Sequence, residues 1–173
     1  MFFTELETER LLLKNIEKTD REFVLSQFSD PAITRYLFDA EPLKTLEEAD
    51  KIISFYLQPE PRTQHRWILK DKQNHLPMGT CGFHYWNKEQ STVEIGYDLK
   101  EAFQGKGYMN EALNAIIHFA KNQMKVKKIN ACVYIKNDPS IKTVEKLGFV
   151  LTSSKNEQFR GVDYPHHIYT LTF

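Results

Sequence analysis

The sequence has few of the residues that would indicate a disulfide framework, a metal site or a membrane span. Only two cysteines occur among its 173 residues, and Cys81 and Cys132 lie far apart with no Cys-x-x-Cys or Cys/His ligand spacing. We therefore expect free thiols buried in strands, no metal, and a reducing, cytoplasmic location. No apolar run approaches the roughly 18 residues of a membrane helix, and the first residues lack the basic start and apolar core of a signal peptide.

An excess of charge of one sign is also absent. The chain has 23 Lys and Arg against 23 Asp and Glu, and no run of like charge exceeds a few residues. We therefore expect no binding to nucleic acid or to an anionic membrane through bulk charge. The hydrophobic share of 41% and the charged share of 27% are typical of a globular protein. The length fits one domain over residues 1–173. We expect a monomer or a homodimer.

Hydrophobic periodicity predicts an α/β (α+β) domain. Alternating and β-branched runs predict strands at 10–14, 65–71, 77–86, 91–99 and 128–135, from 149 onward, and at 164–173. About four helices are expected from apolar residues spaced three and four apart. Thr45 and Glu48 fit a capping box at the start of one helix, and Gly148 fits the residue that follows the end of another.

The most informative stretch joins a strand, a glycine-bearing turn and a helix. Val93, Ile95 and Tyr97 alternate with polar residues, and apolar residues over 112–124 follow helical spacing. The turn between them reads Gln-Gly-Lys-Gly over residues 104–107. Two glycines allow close approach of the backbone to a ligand, and a helix N-terminus offers unpaired N–H groups and a partial positive charge. The stretch therefore predicts a phosphate-binding turn, with an ordinary strand–turn–helix connection as the alternative.

Two common nucleotide-binding motifs do not fit this turn. A P-loop requires glycine where Lys100 stands, and a serine or threonine directly after its lysine, where Gly107 stands. A dinucleotide-binding fingerprint requires a third glycine at Asn110, followed by a carboxylate about 20 residues further on, where Val-Lys-Lys occurs instead.

The pattern that remains resembles the acyl-CoA pyrophosphate loop of the GNAT N-acetyltransferase superfamily, (Gln/Arg)-x-x-Gly-x-(Gly/Ala). Gln104 takes its first position, and Met109 stands where the family has a small residue. A second stretch, Asn-Asp-Pro-Ser at 137–140 followed by Val-Glu-Lys-Leu-Gly-Phe at 144–149, resembles the family's motif after its fifth strand. The opening Thr-Glu-Arg-Leu-Leu-Leu and the Glu-Ile-Gly-Tyr strand most resemble the ribosomal-protein-alanine N-acetyltransferase branch.

The resemblance implies a fold and a cofactor site. It predicts a single, mostly antiparallel mixed sheet of six to seven strands, flanked by about four helices and splayed between its fourth and fifth strands, here 91–99 and 128–135. Acetyl-CoA would lie in that opening as co-substrate, with its pyrophosphate on backbone amides of the turn. The implied contacts are Ile95, Tyr97, Leu99, Gln104, Gly105, Lys106, Gly107, Tyr108, Met109, Asn110 and Asn137. Gly96 marks either a β-bulge that opens the gap or a point of close packing.

The resemblance also implies catalytic roles. Glu94 is the expected general base, directly or through water, and an exposed strand glutamate is the alternative. Ser140 matches the position that can protonate the leaving thiolate, and helix packing or capping is the alternative. Many members carry a tyrosine acid where this chain has Val144, which leaves the acid open. Asn137 either holds the pantetheine or only caps the following helix.

The expected activity is transfer of an acetyl group to a primary amine, on a peptide or protein N-terminus or on a small molecule. Tyr36, Phe38, His84 and Trp86 are the predicted acceptor-binding side chains, although aromatic residues on strands belong to the core more often. Two other functions stay open: an acyl-CoA-binding sensor or docking module without turnover, and a nucleotide-phosphate binder.

Overall fold

The computed structural model describes residues 2–173, and its central feature is one mixed sheet with helices on both faces. The strands are β1 (Leu6–Glu7), β2 (Leu11–Asn15), β3 (His65–Asp71), β4 (Pro77–Asn87), β5 (Thr92–Leu99), β6 (Lys128–Tyr134), β7 (Val150–Phe159) and β8 (Val162–Thr172). The helices are α1 (Arg21–Ser29), α2 (Pro31–Thr34), α3 (Leu46–Tyr56), α4 (Tyr108–Asn122) and α5 (Asp138–Lys146). Short 3₁₀ helices, Lys18–Asp20 and Glu101–Phe103, precede α1 and α4.

The sheet has the strand order β1-β2-β3-β4-β5-β6-β8-β7. Among the described strands, β5 and β6 are the one parallel pair, because α4 connects them and returns the chain to the same end of the sheet. The prediction of a mostly antiparallel mixed sheet is therefore confirmed. The sheet has eight strands over residues 2–173 rather than six to seven, since β1 is only two residues long and has no periodic pattern.

The parallel pair separates part of the way along its length. β5 and β6 pair only from Thr92 with Lys128 to Ile95 with Ala131. Beyond that point β5 continues to pair with β4 as far as Leu99, and β6 continues with β8 as far as Tyr134. The two strands therefore diverge after Ile95 and leave an opening in the middle of the sheet, as predicted.

Gly96 is the first residue of β5 beyond the parallel pairing. It pairs in regular register with Gly82, and the irregularity between β4 and β5 lies between His84 and Asn87 instead. The bulge interpretation of Gly96 is therefore wrong, and close packing is the reason for the glycine. A Cβ atom at this position would lie 3.1 Å from Cε1 of His84, so the missing side chain makes room for the imidazole ring.

Each face of the sheet carries its own hydrophobic core. On one face α4 packs through Leu113 and Ile116 against strand residues that include Trp67. On the other face α1 and α3 pack through Val24 and Ile53. The capping box of Thr45 and Glu48 begins α3 as predicted. The opening between β5 and β6 therefore lies between two helical layers. None of the helices within residues 2–173 is long and apolar enough to cross a membrane.

Candidate active site

A cavity of about 930 Å³ occupies the opening between β5 and β6. It is lined from the α1–α3 face by Phe28, Tyr56 and Glu94, and from the α4–α5 face by Met109 and Ser140. Two ligands entering from opposite faces can therefore meet where the strands separate.

The glycine turn forms one end of this cavity. Gly105 and Gly107 adopt left-handed backbone conformations, with φ of 73° and 81°, and Gly107 is the N-cap of α4. A Cβ atom at Gly105 would meet no atom within 4 Å, so the space above the turn is open. The side-chain Nδ2 of Asn110 is buried and has no hydrogen-bond partner among residues 2–173. Open space, first-turn N–H groups and an unpaired donor fit an anionic phosphate group.

Arg10, which sequence reasoning did not select, holds the turn from outside. Its Nε donates to Oε2 of Glu111 at 2.7 Å, and its Nη1 donates to the carbonyl of Lys106 at 3.0 Å. The guanidinium also lies 4.4 Å from the centre of the Tyr108 ring. About a hundred residues separate Arg10 from these partners, so no local pattern could indicate the contact. Arg10 does lie in the Thr-Glu-Arg opening that resembles the family.

Ten of the eleven predicted cofactor contacts line the cavity, and Lys106 does not. Its Nζ donates to the carbonyl of Ala102 at 2.9 Å, which turns the ammonium away. The Gln104 side chain donates to the carbonyl of Leu99 at 2.9 Å and so fixes the shape of the turn. The Asn137 side chain accepts from the Ser140 N–H at 3.3 Å and caps α5. Capping, the alternative left open for Asn137, is therefore the contact observed.

Glu94 lies on the opposite side of the cavity from the α4–α5 layer. It is the cross-strand partner of His84, so the two side chains share one face of the sheet. Burial raises the pKa of the Glu94 carboxyl, the charge on Lys155 opposes this rise, and the carboxylates of Glu157 and Asp39 add to it. A carboxylate with raised proton affinity, facing a cavity, is suited to accept a proton from a ligand.

His84 is held in one protonation state. Its Nε2 lies 2.6 Å from the Tyr56 hydroxyl and 3.3 Å from Nη2 of Arg66. A guanidinium can only donate, so Nε2 must accept, and the imidazole carries its proton on Nδ1. Burial and the positive charge of Arg66 lower the pKa of His84 to about 3. His84, one of the predicted acceptor-binding side chains, is therefore a neutral residue that lines the cavity.

Beneath His84 lies a buried ion pair that sequence reasoning also missed. Nη1 of Arg66 lies 3.1 Å from Oδ2 of Asp98, and both side chains are more than nine-tenths buried. Asp98 also accepts from Nε2 of Gln27 at 2.7 Å and from both the N–H and the hydroxyl of Thr80. Arg66 and Asp98 are charged residues inside strands, on the face of the sheet that carries Glu94. Such charges in strands were the signal in the sequence that could have indicated the ion pair.

Ser140 lies in the first turn of α5 and faces β5. Its Oγ is 2.6 Å from the Tyr97 hydroxyl. Burial raises the pKa of Tyr97 to about 12, and the hydrogen bond with Ser140 opposes this rise. Val144, which stands where the family often has tyrosine, is fully buried in the core. The side of the cavity towards α5 therefore holds two adjacent hydroxyl groups.

The predicted acceptor residues divide into two groups. Phe38 stacks on Tyr164 with ring centres 4.0 Å apart, and Tyr36 lies beside Tyr134, so both belong to an aromatic wall of the cavity. Trp86 does not line the cavity; it stacks on Phe2, 5.3 Å between ring centres. The irregularity in β4 at this point reverses the alternation and turns Trp86 to the α4 face.

The thiols and the remaining histidines form no further centre. Both cysteines are free, Cys81 is buried, and Cys132 is half-buried and lines the cavity. His166 and His167 bond to different partners, the Tyr164 carbonyl and the Ser154 hydroxyl. Within residues 2–173 no group of three or more His, Cys, Asp or Glu could hold a metal ion.

Comparison with known proteins identifies the family. The family model described as "Acetyltransferase (GNAT) domain" matches residues 10–150. The chain is 32% identical over 145 residues to an uncharacterized N-acetyltransferase, p20, of Bacillus licheniformis, covering 83% of this chain and 81% of that protein.

Solved structures show the same fold. A GNAT-family acetyltransferase from Bacillus anthracis superimposes with a TM-score of 0.83 at 22% identity, over 98% of both chains. Spermidine N-acetyltransferase from Vibrio cholerae, solved in complex with CoA and spermine, gives a TM-score of 0.82 at 20% identity, over 94% of this chain and 95% of that one. The chain belongs to the GNAT acetyltransferase family and is an acetyl-CoA-dependent N-acetyltransferase.

Proposed function

We propose that the chain transfers the acetyl group of acetyl-CoA to a primary amine by direct attack of the amine on the thioester. The observation that carries this proposal is the cavity itself, which joins the glycine turn on one face of the sheet to Glu94 on the other. The amine is a peptide or protein N-terminal α-amine, or a small-molecule amine.

Each end of the cavity supplies a different requirement of the reaction. Acetyl-CoA provides an activated acetyl group on a thioester. Backbone N–H groups of residues 105–110 would hold its pyrophosphate, because a helix N-terminus leaves its first N–H groups unpaired and the space beside Gly105 is open. Glu94 would take the proton that the amine nitrogen loses, directly or through water, and Ser140 would protonate the thiolate.

Acceptor basicity favours a weakly basic amine. A peptide α-amine, with an ordinary pKa of about 7.7–8.0, needs only about 1 kcal/mol to become neutral at pH 7, whereas a lysine-like amine near 10.4 needs about 4.6 kcal/mol. A single carboxylate whose pKa is raised by burial is sufficient for the first case. Among the described residues that line the cavity, six are Lys or Arg and five are Asp or Glu. This near balance of charge does not favour a polycationic acceptor such as a polyamine.

Two separate observations nevertheless favour a polyamine as the acceptor. The Vibrio cholerae spermidine N-acetyltransferase has the same fold, and the carboxylates of Asp39 and Glu157 lie near enough to Glu94 to raise its pKa. The acceptor panel must therefore include spermidine and spermine beside peptides and alkyl amines.

The test is an acetyl-transfer assay in which mass spectrometry follows the amine and a thiol reagent follows free CoA. We expect transfer to at least one primary amine, and we expect Glu94→Gln to lower kcat about 100-fold or more, the range for loss of a general base. Glu89→Gln, an exposed glutamate in the β4–β5 turn, is the matched control. Binding of acetyl-CoA without transfer to any amine would favour the non-catalytic sensor. The cytoplasmic location, the oligomeric state and the absence of nucleic-acid and membrane partners stay predictions.

A further inference from the structure

The hydroxyl groups of Tyr97 and Ser140 bridge the opening in the sheet. Tyr97 belongs to β5, two residues beyond Ile95, where pairing with β6 ends, and Ser140 belongs to α5, which follows β6. The two hydroxyl oxygens are 2.6 Å apart, and both residues line the cavity. The pair therefore spans the gap close to the point where the strands separate.

Two arrangements of the protons fit the geometry of this pair. The Tyr97 hydroxyl has one proton and two possible acceptors, the Ser140 Oγ at 2.6 Å and the Ser140 carbonyl at 3.3 Å. Either oxygen can be the donor in the shorter contact. When the phenol donates to Oγ, the serine proton is free to point into the cavity, and this arrangement allows a proton to pass from Tyr97 through Ser140 to a ligand.

Tyr97 is the proton-bearing group that contacts Ser140. Burial raises the pKa of Tyr97 to about 12 and keeps the phenol protonated at neutral pH. Because the ordinary pKa of a thiol is near 8.5, transfer to the thiolate is unfavourable by itself, and the return of a proton from solvent to Tyr97 completes the step. The titratable groups of α4, α5 and β6 that line the cavity are Tyr108, Lys142, Lys146, Cys132 and Tyr134. Glu94 and Asp98 on β5, Lys155 and Glu157 on β7, and His166 on β8 also line it. None of these is hydrogen-bonded to the Tyr97–Ser140 pair.

We propose that Tyr97 is a positioning residue that supplies, through Ser140, the proton for the departing CoA thiolate. This inference rests on the proposed acetyl transfer. As the amine nitrogen forms its bond to the acetyl carbon, the carbon–sulfur bond breaks and the sulfur keeps the electron pair. Ser140 gives its proton to sulfur and takes the proton of Tyr97. Glu94 receives the proton lost by nitrogen and releases it to solvent, from which Tyr97 is reprotonated, so atoms and charge balance.

Single and double variants test whether the two hydroxyls act as one unit. We expect Tyr97→Phe and Ser140→Ala each to lower kcat about 100-fold, with the KM for acetyl-CoA changed less than about threefold. The double variant should be no slower than the slower single variant. Tyr169→Phe, a buried tyrosine on β8 that does not line the cavity, is the control and should keep wild-type kcat. Multiplying effects in the double variant would contradict the relay.

Fluorinated tyrosines at position 97 separate proton supply from packing. They keep the hydroxyl and lower its pKa, so the alkaline limb of kcat should move to lower pH by as much as the phenol pKa falls. A structural role would leave that limb in place. The ¹⁹F resonance of 3-fluorotyrosine at 97 should also shift when CoA binds without an acceptor, and an unchanged resonance would place the thiol away from the pair. A wild-type protein that acetylates nothing would refute the proposed function, whereas an active Tyr97→Phe protein with unchanged kcat would refute this inference alone.

Discussion

The buried pair of Arg66 and Asp98 gives a stability prediction whose size follows from its contacts. Asp98 accepts four hydrogen bonds: one from Gln27, two from Thr80 and one from the guanidinium. In Asp98→Asn, the new NH₂ group must lie among these donors, and the buried guanidinium loses its counter-charge. Removing one partner of a buried ion pair costs about 3–5 kcal/mol. For a chain of 173 residues, a loss of this size lowers the Tm by about 6–20 °C.

Thermal and urea unfolding measure this loss. Asp163→Asn, at an exposed position on β8, is the matched control and should change stability by less than about 0.5 kcal/mol. The double variant Arg66→Met with Asp98→Asn should be more stable than Asp98→Asn alone, because no charge then remains unpaired. If the free energy of unfolding of Asp98→Asn stays within about 1 kcal/mol of the wild-type value, the buried carboxylate is not the counter-ion of Arg66.

Two further predictions concern pH. His65 and His84 each have a pKa lowered to about 3 by burial and nearby arginine charge, so at these two positions only the unfolded chain takes up protons as the pH falls below 6.5. Stability should therefore decrease from pH 6.5 to 5.5 by about 1 kcal/mol per histidine, and His84→Gln should reduce that slope in urea unfolding; an unchanged slope would contradict the assignment. For activity, Lys155→Met removes the charge that lowers the Glu94 pKa, whereas Glu157→Gln removes one that raises it. The acidic limb of kcat/KM should move to higher pH in the first variant and to lower pH in the second, and equal shifts of one sign would refute Glu94 as the base.

Local sequence patterns predicted those parts of the fold that depend on neighbouring residues. The capping box at Thr45, the left-handed Gly148 and the glycine turn before α4 all follow from contacts within a few positions. The two motifs that resemble the family lie on either side of the opening, so the splayed strands were predicted with them. The position of Trp86 was not, because a single irregularity in β4 moves every later side chain to the other face.

The remaining parts of the site depend on register and on contacts between distant residues. Arg66 and Asp98 lie on strands that do not pair with each other, and their side chains meet on one face of the sheet beside Gly96, where a Cβ atom would lie 3.5 Å from Nη2 of Arg66. Tyr97 meets Ser140 only because β5 and β6 diverge. Neither contact leaves a periodic signal in the sequence, so only the structure reveals the ion pair and the hydroxyl bridge.

Ligand-dependent thermal unfolding tests the central claim most directly, namely that the glycine turn and the opening bind acetyl-CoA. At 100 times its Kd a ligand adds about 2.7 kcal/mol, or about 5–11 °C for a domain of this size. Asp and Asn adopt the left-handed backbone more often than other side chains, so Gly105→Asp and Gly105→Asn share a similar backbone strain. Only Gly105→Asp brings a negative charge to the open space above the turn. We predict a shift with acetyl-CoA and CoA but not with ATP or NAD, largely lost in Gly105→Asp and better kept in Gly105→Asn. No shift with any ligand, or equal shifts with all four, would contradict the account.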